Sequence, residues 1–223
     1  MILNLKNIML TICIALTYTL GYSQNYFIDE SLNSELSSNF EFLFQKNASR
    51  NNVNVSAIVI PNSQESFSAR DAVKVYGYLN GNSYKNILFL SSGNTSFMTE
   101  DNNYSSSVGV IPINQKKADD LSKKIKILKR ENNIDEMKLL NNHLPFIKFI
   151  CTDNISIVPI FIDRNEITQG LVSDLLEEMN DRETLYVITE DIAKFVRFSD
   201  DFDIVTFNGK TNNANNWKVI IRK

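Results

Sequence analysis

Four short apolar runs, each ending abruptly in polar residues, frame the chain: SAIVIP before Asn62, NILFL before SSGNTS, SIVPIFI before Asp163 and TLYVIT before Glu190. A continuous apolar run of this length, bounded by turn residues, is the pattern of a strand buried on both faces. The pattern predicts strands over 54–61, 85–91, 107–113, 155–162 and 184–190, with two further candidates over 203–207 and 217–222. Between them the apolar spacing changes to that of helices. It predicts helices over 26–46, 66–79, 114–130, 134–150 and 167–179, with Asn114 as an N-cap and a break or kink at Pro145. In the segment 66–79, Ala69, Ala72, Val73, Tyr76 and Leu79 share one face.

Strands alternating with helices at this spacing predict an α/β domain with a mostly parallel central sheet and helices on both faces. The expected sheet core is Ile58, Val59, Leu88, Phe89, Leu90, Val158, Ile160, Val187 and Ile188. No internal repeat or linker divides the chain, so 24–223 reads as one domain. Ahead of it, Met1 to Ser23 carries Lys6, the apolar segment IMLTICIALTYTL and small residues at Gly21 and Ser23. This is the layout of a cleaved signal peptide over 1–23, too short to span a bilayer, and it predicts an exported protein with no stable membrane insertion. A lipid anchor at Cys13 is disfavoured by the bulky Ile12 that precedes it.

With 23 basic against 26 acidic side chains, the net charge of −3 becomes −4 once Lys6 is removed, which argues against a nucleic-acid partner. The basic run KKIKILKR, from Lys123 to Arg130, reads as a solvated helix face. Cleavage leaves Cys151 as the one cysteine, which excludes an intramolecular disulfide and fits a small buried residue better than a nucleophile. Abundant Asn, Ile and Lys point to an AT-rich genome.

Candidate chemistry is confined to the strand ends. In a parallel sheet Asn62, Ser92, Asn94, Thr95, Glu190 and Asp191 fall on one edge, where α/β proteins bind ligands. Adjacent residues of a strand point to opposite faces, so one at most of Glu190 and Asp191 faces such a pocket. The sole histidine, His143, sits in a helical segment and cannot build a zinc or iron site by itself. The seven glycines form no phosphate-binding pattern, and there is no nucleophile elbow.

The order of segments resembles the Memo-like family, whose bacterial members belong to the set called AmmeMemoRadiSam and whose fold is related to the class III extradiol ring-cleaving dioxygenases. The family's Pro-His-Ala-Gly-Tyr strand end, with the Tyr-Ser-Gly and helix that follow, aligns with IVIPNSQESFSARDAVKVYGYL and keeps Pro61, Ser68, Ala72 and Tyr76. Its Gly-Pro-Ser-His strand end aligns with ILFLSSGNTSF, and its Pro-Leu-Gly-X-Val-Pro-Val strand with SSSVGVIPI. NNHLPFI stands for Glu-Val-Gln-Leu-Pro-Phe, SIVPIFI for the Val-Pro-Ile strand, and TEDIAKF for Ser-Ser-Asp-X-Ser-His-Tyr.

The resemblance also implies a lost metal site. The family's histidines fall on Asn62, Asn94, Lys138 and Lys194, its aspartate is kept as Asp191, and its C-terminal cysteine motif has no counterpart. Amide oxygens replace imidazole poorly on a transition metal, and Lys194 adds a positive charge. The expectation is a non-catalytic protein without a cofactor. It would bind a peptide, a small molecule or a partner protein at a pocket formed by Asn62, Ser92, Asn94, Thr95, His143, Glu190, Asp191 and Lys194. Two enzyme readings stand beside it: a metal-independent site built on Asp191 with Lys194 or His143, and a metal-dependent oxidoreductase if the ligand register differs.

Overall fold

The computed structural model describes residues 53–62, 68–79, 83–106, 109–133, 135–150, 154–208 and 216–223. The expected signal peptide, the helix over 26–46 and Cys151 lie outside the described residues.

The apolar runs form the strands they predict. β1 (Asn54–Ile60), β2 (Asn86–Gly93), β7 (Ser156–Asp163) and β8 (Thr184–Thr189) pair in parallel in the order β7-β2-β8-β1. Two antiparallel strands, β10 (Asn216–Arg222) and β9 (Phe202–Asn208), extend the sheet beyond β1. At the other edge stand two dipeptide strands, β3 (Phe97–Met98) and β6 (Lys129–Arg130). The full order of the eight strands is β6-β3-β7-β2-β8-β1-β10-β9. All nine residues expected in the sheet core are buried.

Side-chain alternation along the strands divides the core in two. Ile87 and Phe89 point to a layer that holds α1 (Ala69–Tyr76) and α3 (Lys138–Ile150), with Tyr76, Phe146 and Trp217 among its largest members. Leu88 and Leu90 point to the opposite layer, covered by α2 (Gln115–Lys124), α4 (Gln169–Glu178) and the short α5 (Glu190–Ala193). Helices therefore cover both faces of a mostly parallel sheet. Three helix starts are fixed by side-chain caps: Ser68 accepts from the Asp71 N–H at 3.3 Å, Asn114 from Lys117 at 3.1 Å and Thr168 from Leu171 at 3.2 Å. No helix among the described residues is long and apolar enough to cross a membrane.

Four local expectations need correction. The helix that begins after Asn114 ends at Lys124, because Lys129 and Arg130 pair with β3 as strand β6; the basic run is thus only partly helical. The described part of the segment 107–113 meets the main sheet through one parallel bridge, Ile113 to Ile157, and not as a strand of it. Its strand, β5 (Gly109–Pro112), forms a separate hairpin with β4 (Asn103–Ser106), inside what reads as a polar loop. Helix α3 runs through Pro145 without a break. The ring removes one bond, the N–H that would donate to the Asn141 carbonyl, while Leu144, Phe146 and Ile147 hold the helix by burial. Finally, Glu190 and Asp191 are not strand residues. The backbone turns helical after Thr189, so the two carboxylates occupy the first turn of α5.

Phe89 is fully buried on the central strand pair, 6.1 Å from Phe161 and 6.2 Å from His143 between ring centroids. Replacing it by alanine is expected to cost about 3–5 kcal/mol in urea unfolding. Ile204→Ala, at an edge-strand position that is 51% exposed, should change stability by less than about 0.5 kcal/mol.

Candidate functional site

Strand order determines which residues can meet at the carboxyl edge. β8 lies between β2 and β1, so the residues just after it reach the ends of both neighbours. Asp191 does so. Its Oδ2 accepts from the Ser92 hydroxyl at the end of β2, in a short contact. Its Oδ1 accepts from the Thr189 hydroxyl at 2.6 Å and from the Ile192 N–H at 2.9 Å. Its own backbone N–H donates to the Asn62 side-chain oxygen at 3.0 Å, just past β1. Asn62, Ser92, Thr189 and Asp191 thus form one hydrogen-bonded cluster that ties three adjacent strand ends together.

The rest of the SSGNTS loop faces other carboxylates. Asn94 donates from its backbone N–H at 2.9 Å and from its side-chain amide at 2.5 Å, both to Glu136 Oε1. Gly93 makes room for this: a Cβ there would stand 3.0 Å from Glu136 Oε2 and 3.3 Å from its carboxyl carbon. Thr95 donates to Glu131 at 3.2 Å, and Ser96 to Glu166 in a short contact. Four carboxylates are therefore met by four side-chain donors within one six-residue loop. Carboxylates only accept hydrogen bonds and the loop supplies hydroxyl and amide donors, which explains its composition.

The predicted residues separate into groups. Asn62, Ser92 and Asp191 come together. Asn94 and Thr95 share the edge, but their side chains turn to Glu136 and Glu131. Glu190 is half-buried and Lys194 exposed, and no ion pair joins Lys194 to Asp191. His143 is elsewhere. It is fully buried in α3 between Tyr76, Phe89 and Trp217, with Nδ1 at 3.0 Å from the Tyr76 hydroxyl. Burial lowers its pKa to about 3, so the ring is neutral under ordinary conditions. Sequence reasoning missed Thr189, Glu131, Glu136 and Glu166. Thr189 is adjacent to a motif already singled out, whereas Glu136 lies inside a predicted helix and Glu131 and Glu166 flank two others, where nothing in the pattern marks their partners.

A transition metal fits these residues poorly. The Asn62 oxygen is occupied by the Asp191 N–H, the Asn94 amide is held by Glu136, and both Asp191 oxygens accept from protein donors. Among the described residues no imidazole or thiolate reaches the edge, and no group of three or more His, Cys, Asp or Glu side chains converges as a metal site.

A family model described as "Memo-like protein" matches residues 27–220. No curated protein matches the chain.

Two measurements probe this arrangement. Asp191→Ala leaves Ser92, Thr189 and the Ile192 N–H without their acceptor and should cost about 1.5–3 kcal/mol in urea unfolding; Lys194→Ala should change stability by less than about 0.5 kcal/mol. The second concerns His143, whose pKa falls from 6.5 in the unfolded chain to about 3 in the fold. The unfolded state binds the extra proton, so stability from this group is fully present above pH 6.5 and declines as pH falls from there toward 3. Between pH 6.5 and 5 the slope should approach about 1.4 kcal/mol per pH unit from this one residue. His143→Phe should flatten that limb in urea titrations at pH 7, 6 and 5.

Proposed function

The chain belongs to the Memo-like family, and from that premise we propose that it is an exported binding protein in which the family's metal pocket has become a closed polar cluster without catalytic chemistry. The observation that carries the reading is the saturation of Asp191. This is the one metal-site residue that the family alignment retains, and three protein donors already occupy its carboxylate. A carboxylate so engaged is oriented by the fold's own donors, which a metal or substrate would have to compete with. Its partners Ser92 and Thr189 donate to it rather than to a substrate.

The same reading makes the carboxyl edge the recognition surface, with a small molecule, a peptide or a partner protein as the occupant. Export after cleavage at Ser23 follows from the N-terminal sequence pattern and belongs to the proposal. A metal-independent site on Asp191 and Lys194 is disfavoured, because the two side chains form no ion pair and Lys194 stays in solvent.

The test is elemental analysis of the protein purified without chelators, run beside the double variant Asn62→His, Asn94→His. Wild-type protein should carry well below one equivalent of iron, copper or zinc. About one equivalent of any of them in the wild type would overturn the reading. Exported material should begin at Gln24 by intact mass, and a chain that retains Met1 would remove the export half of the proposal.

A further inference from the structure

The helix-covered face that carries α4 and α5 is not covered evenly. Between the C-terminal turn of α4 and the segment that leaves α5 lies a cavity of ≈ 410 Å³, over the strand group β8-β1-β10. The size is that of a small-molecule site. Its apolar walls include Tyr186 and Ile188 from β8, Phe198 from the segment that follows α5, and Phe202 from the start of β9. Phe198 and Phe202 meet edge to face with centroids 6.3 Å apart, and both are only half-buried, so the pair presents ring surface to the cavity. The Tyr186 hydroxyl is engaged by backbone, donating to the Met179 carbonyl at 3.1 Å with the Leu176 carbonyl at 3.4 Å. Its ring is therefore an apolar wall.

Two guanidiniums border this apolar space, Arg197 and Arg222. Arg222 lies over the Phe202 ring with its central carbon 5.7 Å from the centroid, and Arg197 reaches the Gln169 side-chain oxygen at 3.4 Å. Neither makes an ion pair with a described carboxylate, although Glu177 also borders the cavity. Both arginines are exposed and pair with no described carboxylate, so at the rim of one apolar cavity they offer hydrogen-bond donors and positive charge to an anion. Arginine suits this role because its planar fork binds a carboxylate through two parallel bonds and stacks on aromatic rings.

We propose that the cavity bounded by Tyr186, Ile188, Phe198 and Phe202 binds a small carboxylic acid with an apolar body, its carboxylate held by Arg197 and Arg222. The site is separate from the Asp191 cluster and does not depend on the reading given above for the strand ends.

The probe is octanoate, with 1-octanol and octylammonium as matched controls, titrated calorimetrically into the wild-type chain and into Arg197→Gln, Arg222→Gln. Saturable one-to-one binding of octanoate is expected, at least tenfold tighter than either control. The double variant should lose at least tenfold affinity for octanoate and leave 1-octanol unaffected. Amide resonances of Phe198, Phe202 and Arg222 should shift on titration while those of Ser92 and Asn94 stay in place. Absence of saturable octanoate binding, equal affinity for octylammonium, unchanged affinity in the double variant, or shifts centred on Ser92 and Asn94 would each overturn the assignment.

Discussion

The insertion of β8 between β1 and β2 is the constraint on which the remaining structure depends. β1 and β2 follow one another in sequence, yet they do not pair; each instead pairs in parallel with β8, Asn86 of β2 opposite Thr184 and Ala57 of β1 opposite the still more distant Tyr186. The sheet therefore has no continuous centre until residues 184–189 arrive. Both apolar layers rest on that centre, with Val187 facing one and Ile188 the other. The order of pairing also decides the chemistry of the carboxyl edge. Asp191 can bridge Ser92 and Asn62 only because the strand before it lies between theirs.

Much of this was legible from the apolar runs, because burial on both faces leaves an uninterrupted hydrophobic signature that no surface segment shares. The strands β1, β2, β7 and β8, the covered faces and the nine core residues all follow from it. What escaped were elements whose stability comes from contacts distant in sequence. The dipeptide strands β3 and β6 and the four-residue β4 are too short to show a period, and the strand expected within 107–113 forms as β5 but takes β4 as its partner. Helix α2 stops early because Lys129 and Arg130 are recruited by β3, a partner that nothing in the run KKIKILKR announces. Pro145 illustrates the converse. A local helix-breaking rule is overridden where burial on both sides of the ring outweighs one lost hydrogen bond.

At the candidate site the residues at strand ends were readable from position, but their partners were not. The loop SSGNTS reads as a pocket lining, and its polar residues would suit a ligand equally well. In the fold they are spent on the protein's own carboxylates, Asp191, Glu136, Glu131 and Glu166. The glutamates arrive from positions distant in sequence from the loop, so this satisfaction of charge could not be anticipated. It has a physical logic once seen. Carboxylates at a strand edge need hydrogen-bond donors, and the hydroxyls and amides of the adjoining loop supply them.

The position of the single imidazole strengthens that logic. His143 could in principle supply what the edge lacks, but the alternation of β2 places it on the wrong side. Phe89 projects toward His143, whereas Leu88 and Leu90 project into the layer where Ile192 of α5 is buried. Ser92, an odd number of residues from Phe89, belongs to the latter side and there meets Asp191. The sheet itself separates the histidine from the carboxylate. Its ring is held by the Tyr76 hydroxyl and by aromatic neighbours, in an environment that keeps it neutral. To bring His143 to Asp191 would require it to cross the central strands, so its contribution is confined to packing within the fold.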